Sequence, residues 1–188
     1  MPRILITTGD AAEDLEVLYP YQRLLEEGYE VDIAAPTVKQ LQFVVHDFVA
    51  SFDTYTEKLG HSWPADVALA NVNPSDYAAV VIPGGRAPEF LRLDPDFQRI
   101  IRSFFAQDKP IAHICHAVIA LTPLGVLKGR RTAAWPACRP DVQLAGGTFV
   151  DAEAVVDGNM VSARAWNDQP AWMRAFVELL REKAPVKS

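Results

Sequence analysis

The 188-residue chain holds only two cysteines, Cys115 and Cys138, so no disulfide framework supports it, and a reducing compartment would keep both as thiols. It lacks any apolar run long enough to cross a bilayer. It also lacks an excess of basic residues: the formal net charge is -6, which argues against nucleic acid or anionic lipid as a partner. Met1-Pro2-Arg3 passes directly into Ile4-Leu5-Ile6 without a charged region, signal core or cleavage-site pattern, so a cytoplasmic protein is expected. Internal repeats, low-complexity tracts and inter-domain linkers are missing as well. What is present is 49% hydrophobic and 22% charged, which suits one domain over residues 1–188 with a sizeable core.

Short β-rich apolar runs at Ile4 to Thr7, Val31 to Ala35, Ala79 to Pro83 and Ile111 to Ile114 alternate with helical periodicity. That alternation predicts an α/β fold with a mostly parallel sheet and helices on both faces. A first helix is expected over Asp14 to Glu26, with Leu15, Leu18, Leu24 and Leu25 supplying its apolar surface, Pro20 as a candidate kink and Gly28 as its end. A second, around Asp96 to Ala106, carries Phe97, Ile100, Ile101, Phe104 and Phe105 at core spacing. The stretch from Leu41 to Trp63 breaks the alternation and reads as an inserted hairpin or extended arm. Asp157-Gly158-Asn159 marks a hairpin between Ala154 to Val156 and Met160 to Ser162. A closing helix follows over about Gln169 to Lys183.

In such a sheet the chemistry belongs at the carboxyl ends of the strands, where loops converge. Three motifs fall there. Ile111-Ala112-His113-Ile114-Cys115-His116 reads as strand, sharp turn, helix, which makes Cys115 a candidate nucleophile whose thiolate the following helix start would favour. A buried structural cysteine is the alternative reading. Pro83-Gly84-Gly85-Arg86 follows a buried strand, so the Gly85 amide is a candidate half of an oxyanion hole, or else part of a plain tight turn. The backbone amide of His116 would supply the other half, while its ring is a candidate base or substrate contact. Asp10, Glu13, Asp14 and Glu16 surround the start of the first helix. Glu16 would lie one turn inside, and a carboxyl beside a thiol stabilises it only when protonated and donating to sulfur.

The set Glu13-Asp14-Leu15-Glu16, Pro83-Gly84-Gly85-Arg86-Ala87-Pro88-Glu89 and Ala112-His113-Ile114-Cys115-His116 resembles the ThiJ/PfpI superfamily of the class I glutamine-amidotransferase-like fold. Gly125 to Arg130 and Val155 to Asn159 extend the likeness from about Arg3 to Leu180. Val45-His46-Asp47-Phe48 with Gly60-His61 is similar to the insert of plant tandem-domain members that act as glutathione-independent glyoxalases. The resemblance implies a flavodoxin-like three-layer sandwich with a small β-hairpin insert at roughly 41–63, and a homodimer or larger assembly. It also implies Cys115 as nucleophile, Glu16 as the carboxyl beside the sulfur, and Glu13 and His116 near them. Glu89 matches a position that reaches a neighbouring subunit's active site.

Three residues depart from the pattern. Ala117 replaces the glycine usual after the Cys-His pair, His113 stands where small residues are frequent, and Trp135 replaces a tyrosine. The chemistry expected is attack of Cys115 on a small 2-oxoaldehyde such as methylglyoxal, with Glu16 or His116 moving a proton through an enediol to give a 2-hydroxy acid. Removal of early glycation adducts and PfpI-type peptide hydrolysis would use the same thiol, and a redox sensor would oxidise it. No organic cofactor is expected. His46, His61, His113, His116 and Cys115 match no standard zinc spacing, so no metal is expected either. His46 and Trp135 are candidate pocket residues, and Cys138 reads as a free thiol.

Overall fold

A computed structural model describes residues 1–186. The chain begins with β1 (Arg3–Thr7), α1 (Asp14–Glu26) and β2 (Glu30–Ala35), continues into the antiparallel pair β3 (Gln40–Phe48) and β4 (Tyr55–Pro64), and returns through the short β5 (Val67–Ala68). Then come β6 (Ala79–Ile82), α2 (Ala87–Leu91), α3 (Pro95–Ala106), β7 (Ile111–Ile114) and α4 (Ala117–Leu121). The last third holds β8 (Arg131–Thr132), α5 (Arg139–Leu144), β9 (Thr148–Phe149), β10 (Val155–Asp157), β11 (Met160–Ala163) and α6 (Gln169–Lys183).

A seven-stranded sheet runs in the order β10-β11-β7-β6-β1-β2-β5. Its strands are parallel except β10, which the Gly158 turn folds back onto β11. Helices cover both faces in a flavodoxin-like arrangement, so β6, β7 and β11 are buried at every position. Chain order reverses between β1 and β6, and the carboxyl ends of β1, β6 and β7 therefore open into one crevice. On α3, Phe97, Ile100, Ile101 and Phe104 lie fully in the core. Burying each contributes about 1.5–3 kcal/mol.

The first helix has the expected bounds but a different buried face. Leu15 and Leu25 are 46% and 45% exposed, whereas Asp14, Glu16, Val17, Pro20 and Leu24 are turned inward. Periodicity alone placed the leucines in the core. The acids take the inward positions of the first turn in place of Leu15 because the helix start faces the crevice, and the helix runs on through Pro20.

The inserted hairpin is β3 and β4, a separate two-stranded sheet. Its first strand clamps the loop after β1: Ala11 N–H donates to Gln42 O at 2.8 Å and Val44 N–H to Ala12 O at 2.9 Å. Two acids, the buried Asp14 and the exposed Asp10, reinforce this. Asp14 accepts from the His61 backbone N–H at 2.5 Å and faces its ring Nδ1 at 2.9 Å, and Asp10 pairs with Lys39. Beyond complementing a helix dipole, these residues fix the hairpin over the crevice.

Candidate functional site

Each of the three strand ends delivers one part of the site. After β1, the Glu13 carboxylate caps α1 by accepting the Glu16 N–H at 2.9 Å, which sets Glu16 on the buried face. After β6, Gly84 N–H donates to Glu16 Oε2 at 2.8 Å. A Cβ on Gly84 would lie 2.5 Å from that oxygen and 2.7 Å from Cys115 Cβ, so glycine is what lets the carboxyl and the thiol approach. Gly85 follows at φ 75°, with a Cβ position 2.5 Å from Ala11 O.

After β7, Cys115 itself adopts φ 59°, a left-handed conformation unusual for a residue with a side chain. Its N–H donates to Ala163 O at 3.1 Å, and its carbonyl accepts from Trp135 N–H at 3.3 Å. Ala117 is accommodated because the positive dihedral falls on the cysteine and Ala117 already lies in α4. The ring of His116 does reach its neighbour: Nδ1 stands 3.3 Å from Cys115 Sγ.

Burial dominates the electrostatics of this cluster. It pushes the Glu16 carboxyl well above its ordinary range, and the nearby Glu13 charge adds to the effect. The same burial raises Glu13 to about 7. His116 is driven down to about 4, chiefly by desolvation, and is neutral at pH 7. Cys115, 5% exposed, is also pushed up by burial, against the lowering effect expected from a helix start. The following helix, α4, is only five residues long, and the opposing pull comes from the His116 and Gly85 amides that face the sulfur. The Glu16 carboxyl and the Cys115 side chain both crowd Gly84, and one buried carboxyl oxygen, Oε1, has no hydrogen-bond partner. A protonated Glu16 fits that burial, because a neutral acid is less costly there than a carboxylate.

The hairpin walls the site with residues that sequence reasoning largely missed. His46 and Phe48 alternate along β3, and Tyr55 and Glu57 along β4, in the cross-strand pairs His46–Glu57 and Phe48–Tyr55. Alternation places all four on one face. Tyr55 meets the His46 ring at 4.3 Å and stands edge-on to His116 at 5.7 Å and Trp135 at 5.6 Å. Phe48 stacks on Trp135 and Trp166, at 5.4 and 5.5 Å. His46 is buried, with Nε2 3.0 Å from Glu57 Oε2, and Trp166 Nε1 donates to its carbonyl at 3.0 Å. A period of two across both hairpin strands was the available signal; the sequence reading singled out His46 but not its neighbours.

Residues 2–179 match the DJ-1/PfpI family. The chain belongs to that family. A deglycase of Pyrococcus abyssi is 44% identical over 181 residues, covering 95% of this chain and 99% of the relative. Protein DJ-1 homolog D of Arabidopsis thaliana is 39% identical over 185 residues, which span 95% of this chain but 47% of that protein. A solved two-domain protein of Anabaena variabilis, containing DJ-1/ThiJ/PfpI-like and ferritin-like domains, superposes with a TM-score of 0.85 at 25% identity, over 100% of this chain and 50% of that one.

Other residues singled out in this DJ-1/PfpI chain lie apart from the thiol. Glu89 is exposed and lines a cavity of about 510 Å³ with Asp10, Lys39, Arg86 and Phe90, which Cys115 does not border. His113 is a packed histidine: its Nε2 is 3.0 Å from Thr132 Oγ1 and burial drives it down to about 3. Cys138 is buried too, and burial raises it to about 12. Among the described residues, no cluster of His, Cys, Asp or Glu is arranged to hold a metal ion, and no helix is long and apolar enough to cross a membrane.

Proposed function

We propose that this protein is a cysteine-dependent, cofactor-independent enzyme acting on small 2-oxoaldehydes such as methylglyoxal, or on their early adducts, and yielding 2-hydroxy acids. The observation that carries this reading is the enclosure of a neutral thiol between a neutral imidazole and a buried carboxyl, behind a wall of aromatic rings. An extended peptide needs an open groove, and a nearly buried Cys115 weighs against one. The deglycase name of the Pyrococcus abyssi relative is in keeping with such a substrate.

In this reading His116 takes the thiol proton as Cys115 attacks the aldehyde carbon; the 3.3 Å between its Nδ1 and Sγ supports that role. The new C–S bond leaves an alkoxide that the Gly85 and His116 amides stabilise, and the imidazolium returns its proton to give a hemithioacetal. The regenerated base removes the hydrogen from that carbon and delivers a proton to the adjacent one through an enediol. The resulting thioester is cleaved by water, which releases the 2-hydroxy acid and the free thiol. Protonated Glu16 donates to sulfur throughout and favours its departure.

The test is lactate formation from methylglyoxal without glutathione, in chelator, by wild type, Cys115→Ser and Glu16→Gln. Turnover by the wild type that both substitutions abolish is expected. No turnover by a wild type whose Cys115 still alkylates overturns the reading in favour of peptide hydrolysis or redox sensing.

A further inference from the structure

We propose that Tyr55, carried by the inserted hairpin, is a further catalytic residue, its phenol donating a hydrogen bond to the second oxygen of the substrate held at Cys115. The inference rests on the 2-oxoaldehyde reading above and names the group that recognises the vicinal dicarbonyl.

A 2-oxoaldehyde presents two adjacent oxygens, and both gain negative charge in the enediol. The Gly85 and His116 amides face the sulfur, so together they serve the oxygen on the carbon bonded to it. The other oxygen needs its own donor. Tyr55 is held by rings rather than by its hydroxyl: His46 lies against one side of it, and the edges of His116 and Trp135 meet it on another. His116 is the residue whose Nδ1 is 3.3 Å from Sγ, so the phenol belongs to the mouth of the thiol site. Half-burial and the nearby Cys115 raise its pKa, which keeps it a donor at neutral pH.

Two anchors keep that wall in place. Phe48, paired with Tyr55 across the hairpin, stacks on both Trp135 and Trp166. Glu57, two residues after Tyr55, binds Arg86, the residue following Gly85. The hairpin is thereby locked to the oxyanion turn itself, which gives the phenol a fixed position relative to the amides.

Tyr55→Phe removes the hydroxyl and keeps every ring contact. Steady-state kinetics on methylglyoxal and the rate of Cys115 alkylation by iodoacetamide are measured in parallel on wild type and variant, with melting temperature as a check on the fold. The expected result is a fall in kcat of about ten- to hundredfold, with KM and melting temperature little changed. Alkylation should stay within about twofold, because displacement of iodide develops no charge on a substrate oxygen. A variant that matches the wild type in kcat overturns the inference and leaves the proposed function standing. A parallel fall in kcat and alkylation also overturns it, since the hydroxyl would then act on the thiol. A wild type without turnover overturns the 2-oxoaldehyde reading, and this inference falls with it.

Discussion

Arg86 grips Glu57 with two prongs, Nε at 2.9 Å from Oε2 and a terminal nitrogen at 2.8 Å from Oε1. One residue sits at the tip of the strand-end turn that carries the Gly85 amide, the other on an inserted hairpin that the central sheet does not include. The pair ties the insert to that turn, alongside the backbone and ring contacts that hold the hairpin over the crevice. Glu57 also receives His46, so one carboxylate organises a cation and an imidazole from two different elements.

Glu57→Gln breaks this clamp and should lower kcat severalfold while costing about 1 kcal/mol or less of stability, because the pair is partly exposed. Arg86 holds the Glu57 carboxyl down at about 2, against an ordinary 4.5. Its stabilisation is therefore complete above pH 4.5 and disappears as pH falls through about 2. The melting-temperature gap between wild type and Glu57→Gln should be constant from pH 8 to pH 5 and close at lower pH. A gap that widens in acid would contradict the clamp.

His116 should act as a base that only strong acid can silence. With its pKa near 4, the kcat/KM profile for methylglyoxal should be flat from about pH 5.5 to 7 and lose about tenfold per pH unit well below 4. A limb near 6.5 would mean that the imidazole is not desolvated as the structure places it.

Gly84→Ala places a methyl group between Glu16 and Cys115, where the nearest oxygen is 2.5 Å away. Loss of turnover by at least a hundredfold is expected, with altered Cys115 alkylation, since the carboxyl and the thiol cannot both keep their positions. Wild-type kinetics from this variant would show that their close approach is not needed.

Glu13 and His113 should shape the acid stability in opposite directions. Glu13 keeps its proton to about pH 7 when folded but only to 4.5 when unfolded, so it costs stability increasingly as pH rises from 4.5 to 7. Glu13→Gln should therefore gain in melting temperature relative to wild type over that interval. His113 resists protonation down to about 3 when folded while the unfolded chain accepts a proton near 6.5, so it costs stability as pH falls between those values. His113→Gln should flatten that decline. Thermal denaturation of both variants from pH 4 to 8 checks the two signs independently.

Strand positions, α1, α3 and α6 were legible because apolar periodicity records which side of an element faces the core. Cys115, Glu16, Gly85 and His116 were legible because each follows a strand at the end where loops meet, and the family resemblance named the same positions. The burial of Leu15 and Leu25 was misread for a physical reason. A hydrophobic count assumes that acids stay outside, whereas Glu13, Asp14 and Glu16 are inside, where backbone amides engage one oxygen of each glutamate, and the His61 amide and ring engage Asp14.

By itself the sequence determined the order of elements, the existence of the insert and the place of Cys115 on a strand-to-helix turn, since local periodicity, turn chemistry and motif spacing all act between residues close along the chain. Only the tertiary structure decided that the hairpin folds back to place Tyr55 beside His116 with His46 against it, and that Glu57 reaches Arg86 across 29 positions. It also decided the protonation of the site. Burial is a property of the packed whole, and burial is what favours a protonated Glu16, a neutral His116 and a neutral Cys115 thiol.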